Sequence, residues 1–414
     1  MKDNKNNIYQ QMEQLFHFIL NNVDRSKVSS KNKARIKEEI IGLQSFVVGA
    51  RPARIAIVGR RGAGKSSLIN AIFGEQKAEV GDYKSQTGSG KWYLFENELG
   101  GIDILDTRGL GESHRPEEVA LSETPIEEVK QSIKNKCPDV ILFLCKGKEV
   151  GSRIDEDLQQ LLQLKQDIYE MHTYEVPIVG IVTQVDELAP VSDSEPPFEH
   201  PKKQENISAT VDLLEDKIKE IIATPVTVIP ISAYVEYENG SITYDRRWNI
   251  DVLLDYLLTE LPKEAQVILA KLSKVKMVQK KLARNIGKSV MTVTGLVGAT
   301  PVPIADMPII TGLQISMIGT IAMISGRKLN RKTIIQFVGA MGVNLGVGMA
   351  LREISRHLVK VFPGAGSFIS GSIASAGTYA LCEAAIAYFI DSKSEEEAKK
   401  IYEEQLQKEK EKNN

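Results

Sequence analysis

Residues 55–74 read IAIVGRRGAGKSSLINAIFG, and the fold follows from this stretch. An apolar run ends at Val58. The spacing Gly59-x4-Gly64-Lys65-Ser66 comes next, followed by apolar residues at helical period. A strand, a glycine-rich turn and a helix start are the context a phosphate loop requires. Backbone N–H groups from Gly59 through Arg61, Gly62, Ala63 and Gly64 can point at phosphate oxygens. The positive end of the following helix adds to them. Lys65 would neutralise β- and γ-phosphate charge. The Ser66 hydroxyl would bind Mg²⁺, with Ser67 in the same first helical turn. The plain alternative is an ordinary glycine-rich turn, which the flanking strand and helix patterns disfavour.

Downstream, residues 101–112 read GIDILDTRGLGE. Asp106 ends an apolar strand pattern, so it would stand beside the magnesium. The N–H of Gly109, three residues on, could touch a γ-phosphate and sense its loss. Residues 181–188 read IVTQVDEL. A carboxylate at Asp186 can accept both N1–H and the exocyclic amine of guanine, a pair of donors adenine does not offer together. The segment Thr183-Gln184-Val185-Asp186 resembles the Asn/Thr-Lys-x-Asp motif of GTPases, with Gln184 where lysine is usual. The glutamine stem can cover a base face but brings no charge. Residues 228–237, VIPISAYVEY, run into Ser232-Ala233-Tyr234, which is similar to the Ser-Ala-Lys loop whose backbone contacts the guanine carbonyl.

Together these motifs, with GKSSLINAIFG in particular, make residues 53–262 resemble an Era-like, translation-factor-class GTPase domain. The resemblance implies an α/β P-loop GTPase domain with a mostly parallel, doubly wound sheet. It also implies GTP and GDP as ligands and Mg²⁺ as cofactor. It points to Thr87, in VGDYKSQTGSGKW at 80–92, as the switch-one threonine reaching Mg²⁺ and the γ-phosphate. Ser85 and an ordinary loop threonine are the alternatives. Thr87, Lys65 and Gly109 are then the catalytic set; Ser66, Thr87 and Asp106 are the metal set. Leu110 stands where Ras-like enzymes carry a water-orienting glutamine, so basal turnover should be slow. Arg60 or Arg61 could supply transition-state charge, in cis or in trans across a homodimer. The simpler reading has both adding positive charge near the phosphates or lying in solvent.

The wider sequence fits this centre. Apolar runs at 54–58, 102–106, 140–145, 178–183 and 226–231, separated by helical patterns, predict a doubly wound α/β domain. The chain has 414 residues, 42% of them hydrophobic and 26% charged, which excludes disordered, collagen-like and wholly membrane-embedded classes. Cys137, Cys145 and Cys382 are too scattered for a disulfide framework or a zinc site and suit a reducing compartment. The polar start MKDNKNNIYQ has no signal-peptide core. Four segments follow: N-terminal helices over 1–50, the GTPase domain over 51–262, an all-α domain over 263–390, and a charged tail over 391–414.

The net charge of −2 hides an asymmetry. Residues 262–360 carry fifteen Lys or Arg against three acids, Glu264, Asp306 and Glu353. That basic region suggests an anionic partner. A basic amphipathic helix is expected over 263–285. Uncharged, glycine-rich stretches follow at 289–305, 307–325, 333–351 and 361–382. Their lengths approach the roughly 20 apolar residues of a membrane span, but polar residues such as Gln314 and Asn344 and many glycines dilute them, and a soluble helical bundle packed through small residues is the alternative. Asp306 is expected as an N-cap for a helix starting near Met307. Gly342-x3-Gly346 would let helices approach closely. The tail should be a solvated helix that frays.

Residues 265–390 are similar to a bacterial domain of unknown function found behind Era-like GTPase domains, relatives of which occur in inner-membrane proteins. The resemblance implies a bacterial GTPase whose helical domain acts near membranes; with the basic clusters, a GTP switch is expected on the cytoplasmic face, its helical domain associating with anionic membrane lipid, a membrane protein or another partner. The competing readings are a soluble ribosome- or RNA-associated GTPase and an oligomerising membrane-remodelling protein. Nucleic acid is disfavoured because the basic residues are not interleaved with exposed aromatics.

Overall fold

The computed structural model describes residues 2–76, 91–106, 125–152, 154–239, 241–298, 303–327, 331–341 and 371–412. The chain folds into two compact units, Pro52–Pro262 and a second made of Met1–Arg51 with Lys263–Asn414.

In the first unit, strand β1 (Ala53–Val58) carries Ile55, Ala56, Ile57 and Val58, all buried. A strand apolar on both faces can sit only inside a sheet covered on both sides. It pairs in parallel with β3 (Gly100–Asp106) on one side and β4 (Val140–Lys146) on the other. Strands β5 (Ile178–Thr183) and β6 (Val228–Pro230) extend the parallel set. An antiparallel strand, β2 (Lys91–Asn97), closes the other edge, giving the order β2-β3-β1-β4-β5-β6. The apolar runs of the sequence do not predict β2. Its residues alternate between half-buried and exposed, as an edge strand permits, so it lacks the continuous apolar run that marks the interior strands.

One face of the sheet builds a core from Ala56, Val58, Leu105, Ile141, Phe143 and Cys145. Against it pack α4 (Pro125–Asn135), α5 (Asp155–His172) and α6 (Pro201–Ile222). Each fully buried Val, Leu, Ile or Phe contributes about 1.5–3 kcal/mol relative to exposure. Helix α3 (Lys65–Phe73) follows the phosphate-loop segment and packs on α7 (Ile250–Glu260). Between β6 and α7 a hairpin unforeseen in the sequence, β7 (Val235–Glu238) and β8 (Ser241–Asp245), forms its own two-stranded sheet.

In the second unit, α1 (Lys2–Arg25) and α2 (Ser30–Val47) pack with the helices after residue 262. Residues 1–50 are therefore not the separate segment that the sequence suggests. Leu15 and Ile19 of α1 are buried. They lie against Gly312 of α10 (Pro303–Ile324), where an added Cβ would stand 2.8 Å from Ile19 Cγ1. Helix α10 is buried on every side from Ile309 to Ile324. That explains why residues 307–324 carry no charge: they form the interior of this unit. Among the described residues no helix is long and apolar enough to cross a membrane.

Several expectations for this unit are corrected. The helix expected over 263–285 is two, α8 (Lys263–Ser273) and α9 (Lys276–Gly298), broken where Lys274 turns left-handed at φ 55°. The Ser273 hydroxyl accepts from Val275 N at 3.3 Å and stabilises that break. Helix α10 begins at Pro303, so Asp306 lies within it and is no N-cap. Proline suits that first position because its missing N–H would have no helical acceptor there. Two residues of the basic cluster are paired with acids of the same unit. Lys280 lies 2.7 Å from Asp391, and Arg284 grips Glu383 with two hydrogen bonds of 2.8 and 3.0 Å. After α11 (Arg331–Ala340) and α12 (Gly371–Ala385), the tail is a helix as expected, α13 (Glu395–Lys412), exposed over most of its length but packed on α12 with Ala398 fully buried. Gly342, Asn344 and Gly346 lie outside the described residues.

Helices α9 and α12 approach closely at Gly287. A methyl there would press on Cys382 Sγ and stand 3.1 Å from its Cβ. Gly287→Ala is therefore expected to destabilise the protein by about 1–3 kcal/mol through overpacking, despite its gain in helix propensity. A lowered melting midpoint checks this; an unchanged or higher one would mean the interface is looser than described.

Candidate nucleotide site

All the described motif residues of the first unit fall at the carboxyl ends of the parallel strands, where open α/β sheets bind ligands. The glycine-rich turn leaves β1. Asp106, the last residue of β3, sits in register with Ile57, two residues before Gly59. Gln184 follows β5. Ser232 follows β6 after one residue.

The turn is held by close backbone approach. At Gly59 an added Cβ would come 2.6 Å from the Leu144 carbonyl oxygen. Gly64, at φ 87°, occupies the left-handed N-cap position of α3, a conformation that favours glycine. Its Cβ position lies 3.8 Å from the Thr183 side chain, so the turn and the β5 end are neighbours. Lys65 is buried, and its ammonium donates to the Gly59 carbonyl at 2.5 Å and to the Arg60 carbonyl at 3.2 Å. It is thus held over the turn. Ala63 is buried, Gly62, Ser66 and Ser67 are half-buried, and Arg61 is exposed. The Arg60 guanidinium pairs with Asp157 at the start of α5, 2.7 Å from Nε to the carboxylate. Burial raises the Asp157 carboxyl above its usual range, against the pull of Arg60.

The second half of the site is the loop after β5. Thr183 is buried and donates to the Cys145 carbonyl at 3.4 Å. Gln184 turns left-handed, φ 58° and ψ 38°. This backbone conformation costs a non-glycine residue roughly 1–2 kcal/mol, and such outliers concentrate at functional sites. Its amide donates to the Gly62 carbonyl at 2.9 Å. The residue that departs from the usual lysine therefore still ties this loop to the phosphate-loop turn. Asp186 is buried beside it.

Ser232, Ala233 and Tyr234 lie in the loop after β6. Ser232 exchanges two backbone hydrogen bonds with Trp248, 3.2 and 2.9 Å, and is fully buried. Its hydroxyl has no hydrogen-bond partner among the described residues. Tyr234 is exposed and its hydroxyl donates to Glu236 at 2.5 Å.

Sequence reasoning missed Arg246, which follows β8. Its guanidinium stands 3.8 Å from the Asp186 carboxylate and 2.7 Å from Glu195, and lies over the Tyr244 ring at 4.9 Å. Hydrogen bonds from Tyr244 and Arg246 hold the Glu195 carboxyl below its usual range. The segment TYDRRW at 243–248 offered only an alternation of charged and aromatic residues. No periodicity links it to Asp186, sixty residues earlier.

Thr87, Ser85, Arg108, Gly109 and Leu110 lie outside the described residues. For Asp106 the backbone position is described and the side chain is not.

Residues 54–182 match a family model described as a 50S ribosome-binding GTPase, and residues 264–411 match one described as a domain of unknown function, DUF697. The chain thus carries a GTPase-family domain followed by a DUF697 domain. GTPase Der of Aquifex aeolicus is 30% identical over 142 residues, 33% of this chain and 28% of that protein. GTPase Der of Bacillus thuringiensis is 33% identical over 116 residues, 26% of this chain and 23% of that protein. The chain therefore spans less than a third of the length of these curated relatives. Among solved structures, Toc33 from Arabidopsis thaliana aligns over 59% of this chain and 93% of its own, at 15% identity and a TM-score of 0.36.

Proposed function

We propose that this chain binds GTP with Mg²⁺ at the carboxyl ends of β1, β3, β5 and β6 and hydrolyses it slowly to GDP and phosphate. The observation that carries this reading is the meeting of two sequence-distant motifs. Gln184 bonds the Gly62 carbonyl, so the base-reading loop and the phosphate loop share one wall. Lys65 now donates to two neutral carbonyls; phosphate oxygens offer charged acceptors to the same ammonium. The N–H groups at the start of α3 orient the phosphates. Asp186 accepts the guanine N–H pair, and Gln184 covers the base face. Ser66, Asp106 and Thr87 are the residue types that would hold Mg²⁺, which supplies charge neutralisation at the phosphates. Arg60 is engaged by Asp157, an arrangement that fits slow basal turnover.

The test is a titration of the full chain with fluorescent GDP, competed by GTP, ATP and chelator, followed by phosphate release under multiple turnover. Saturable binding that GTP displaces and ATP does not, with turnover far below 10 s⁻¹, is expected. Equal displacement by ATP would sink the guanine reading, and turnover near 10 s⁻¹ would sink the slow switch.

The helical unit would then report the nucleotide state by docking to an anionic membrane or a protein partner on the cytoplasmic face. The excess of Lys and Arg over 262–360 supports an anionic partner, although Lys280 pairs with Asp391 and Arg284 with Glu383. A ribosomal partner is the second reading, favoured by the description of the model that residues 54–182 match. Flotation with anionic vesicles and sedimentation with ribosomes, each with GDP or a non-hydrolysable GTP analogue, separate the two. Nucleotide-independent behaviour in both assays would remove the coupling.

A further inference from the structure

Lys203 is fully buried in the first turn of α6. A lysine so placed is rare unless paired, and no carboxylate lies within ion-pair distance of it among the described residues. Its ammonium instead donates to two backbone carbonyls, Asp186 O and Leu188 O, both at 2.7 Å. It also stands 5.0 Å from the centre of the Phe198 ring. Burial lowers its pKa. Both acceptors belong to the loop that carries the base-reading carboxylate. Phe198 in turn meets Trp248 edge to face at 5.2 Å, and Trp248 exchanges two backbone hydrogen bonds with Ser232. The contacts of Lys203 thus run into both loops assigned to the base.

We propose that Lys203 is the positioning residue for base discrimination: it locks the 185–188 turn so that the Asp186 carboxylate faces the base with both oxygens in place. The inference rests on the guanine reading above. Two charge-assisted bonds to backbone carbonyls are strong tethers, and the ammonium that makes them also stands over the Phe198 ring. Without them the turn keeps its chain path but loses the anchor that holds a bidentate acceptor in orientation. Phosphate recognition, made by the turn after β1, does not pass through this anchor.

The experiment compares GDP with IDP, whose base lacks the 2-amino group and so forfeits one hydrogen bond to Asp186. Affinities are measured by competition on the full chain, with pyrophosphate as a probe of the phosphate loop alone. The wild type is expected to prefer GDP by about ten- to a hundredfold, the range of one hydrogen bond to a charged group. Lys203→Met should shrink that preference to within about threefold, as one tether-dependent hydrogen bond is lost, while pyrophosphate affinity stays unchanged. Lys203→Gln can still donate to one carbonyl and should fall between; it also serves if the methionine variant does not fold. A wild-type preference that Asp186→Ala abolishes and both Lys203 variants retain, with only a lower melting midpoint, overturns the proposal and leaves the guanine reading standing. No GDP preference in the wild type and none lost in Asp186→Ala overturns both.

Discussion

Lys65→Met is expected to weaken GTP binding by about 10²–10³-fold, the equivalent of roughly 3–4 kcal/mol. The argument starts from burial. Lys65 is 8% exposed, and its ammonium bridges the Gly59 and Arg60 carbonyls at the mouth of the turn. A β- or γ-phosphate arriving there meets a cation already stripped of much of its water, where Coulomb attraction exceeds its value at the surface. Methionine keeps the stem volume and removes the charge. The two carbonyls then face the phosphates with no cation between, which adds repulsion to the lost attraction. Equilibrium titration with a non-hydrolysable GTP analogue reads the loss, and circular dichroism establishes that the variant is folded. An affinity within about fivefold of wild type, a difference of about 1 kcal/mol, would mean that phosphates bind elsewhere.

The second large effect concerns the helical unit. Ile318→Asp is expected to cost several kcal/mol at neutral pH, on the scale of an uncompensated buried charge. Ile318 is fully buried in α10, among neighbours that are buried in turn. A carboxyl there is desolvated, so its pKa in the folded protein rises above the value in the unfolded chain. The sign follows from linkage. Below the unfolded pKa, near 4, the carboxyl is protonated in both states and the charge penalty is absent. As pH rises the unfolded chain ionises first, and folding loses about 1.4 kcal/mol per pH unit until the folded pKa is passed. Chemical unfolding at pH 5 and pH 8 should therefore find the variant far less stable at pH 8, relative to wild type at the same pH. Equal stability at both would mean that α10 is not the interior helix of this unit.

The two effects mark different degrees of legibility. The phosphate-loop turn was readable because its chemistry is local. Glycines at 59, 62 and 64, a lysine and a serine must follow one another within one turn. The interior strands were readable because burial on both faces requires continuous apolar runs. Strand β2 was not, since an edge strand needs only alternation, and KWYLFEN carries a weak version of it. The β7–β8 hairpin and Arg246 were not, because the pattern VEYENGSITYDRR names a turn without naming what the turn faces. The uncharged 307–325 stretch was ambiguous by nature: a helix central to a bundle and one approaching a lipid phase have the same composition.

By itself, then, the sequence determined the glycine-rich turn after β1, the doubly wound sheet and the order in which the residues proposed to read the base appear. Each of these depends on residues close along the chain or on strand-length hydrophobicity. Only the tertiary structure decided which distant groups meet. It brought the Gln184 amide to the Gly62 carbonyl, Lys203 to the Asp186 loop, Arg246 to the Asp186 carboxylate, and α1 to Gly312 of α10. Such contacts are set by strand order and helix packing, which bring together residues whose separation along the chain carries no periodic signal.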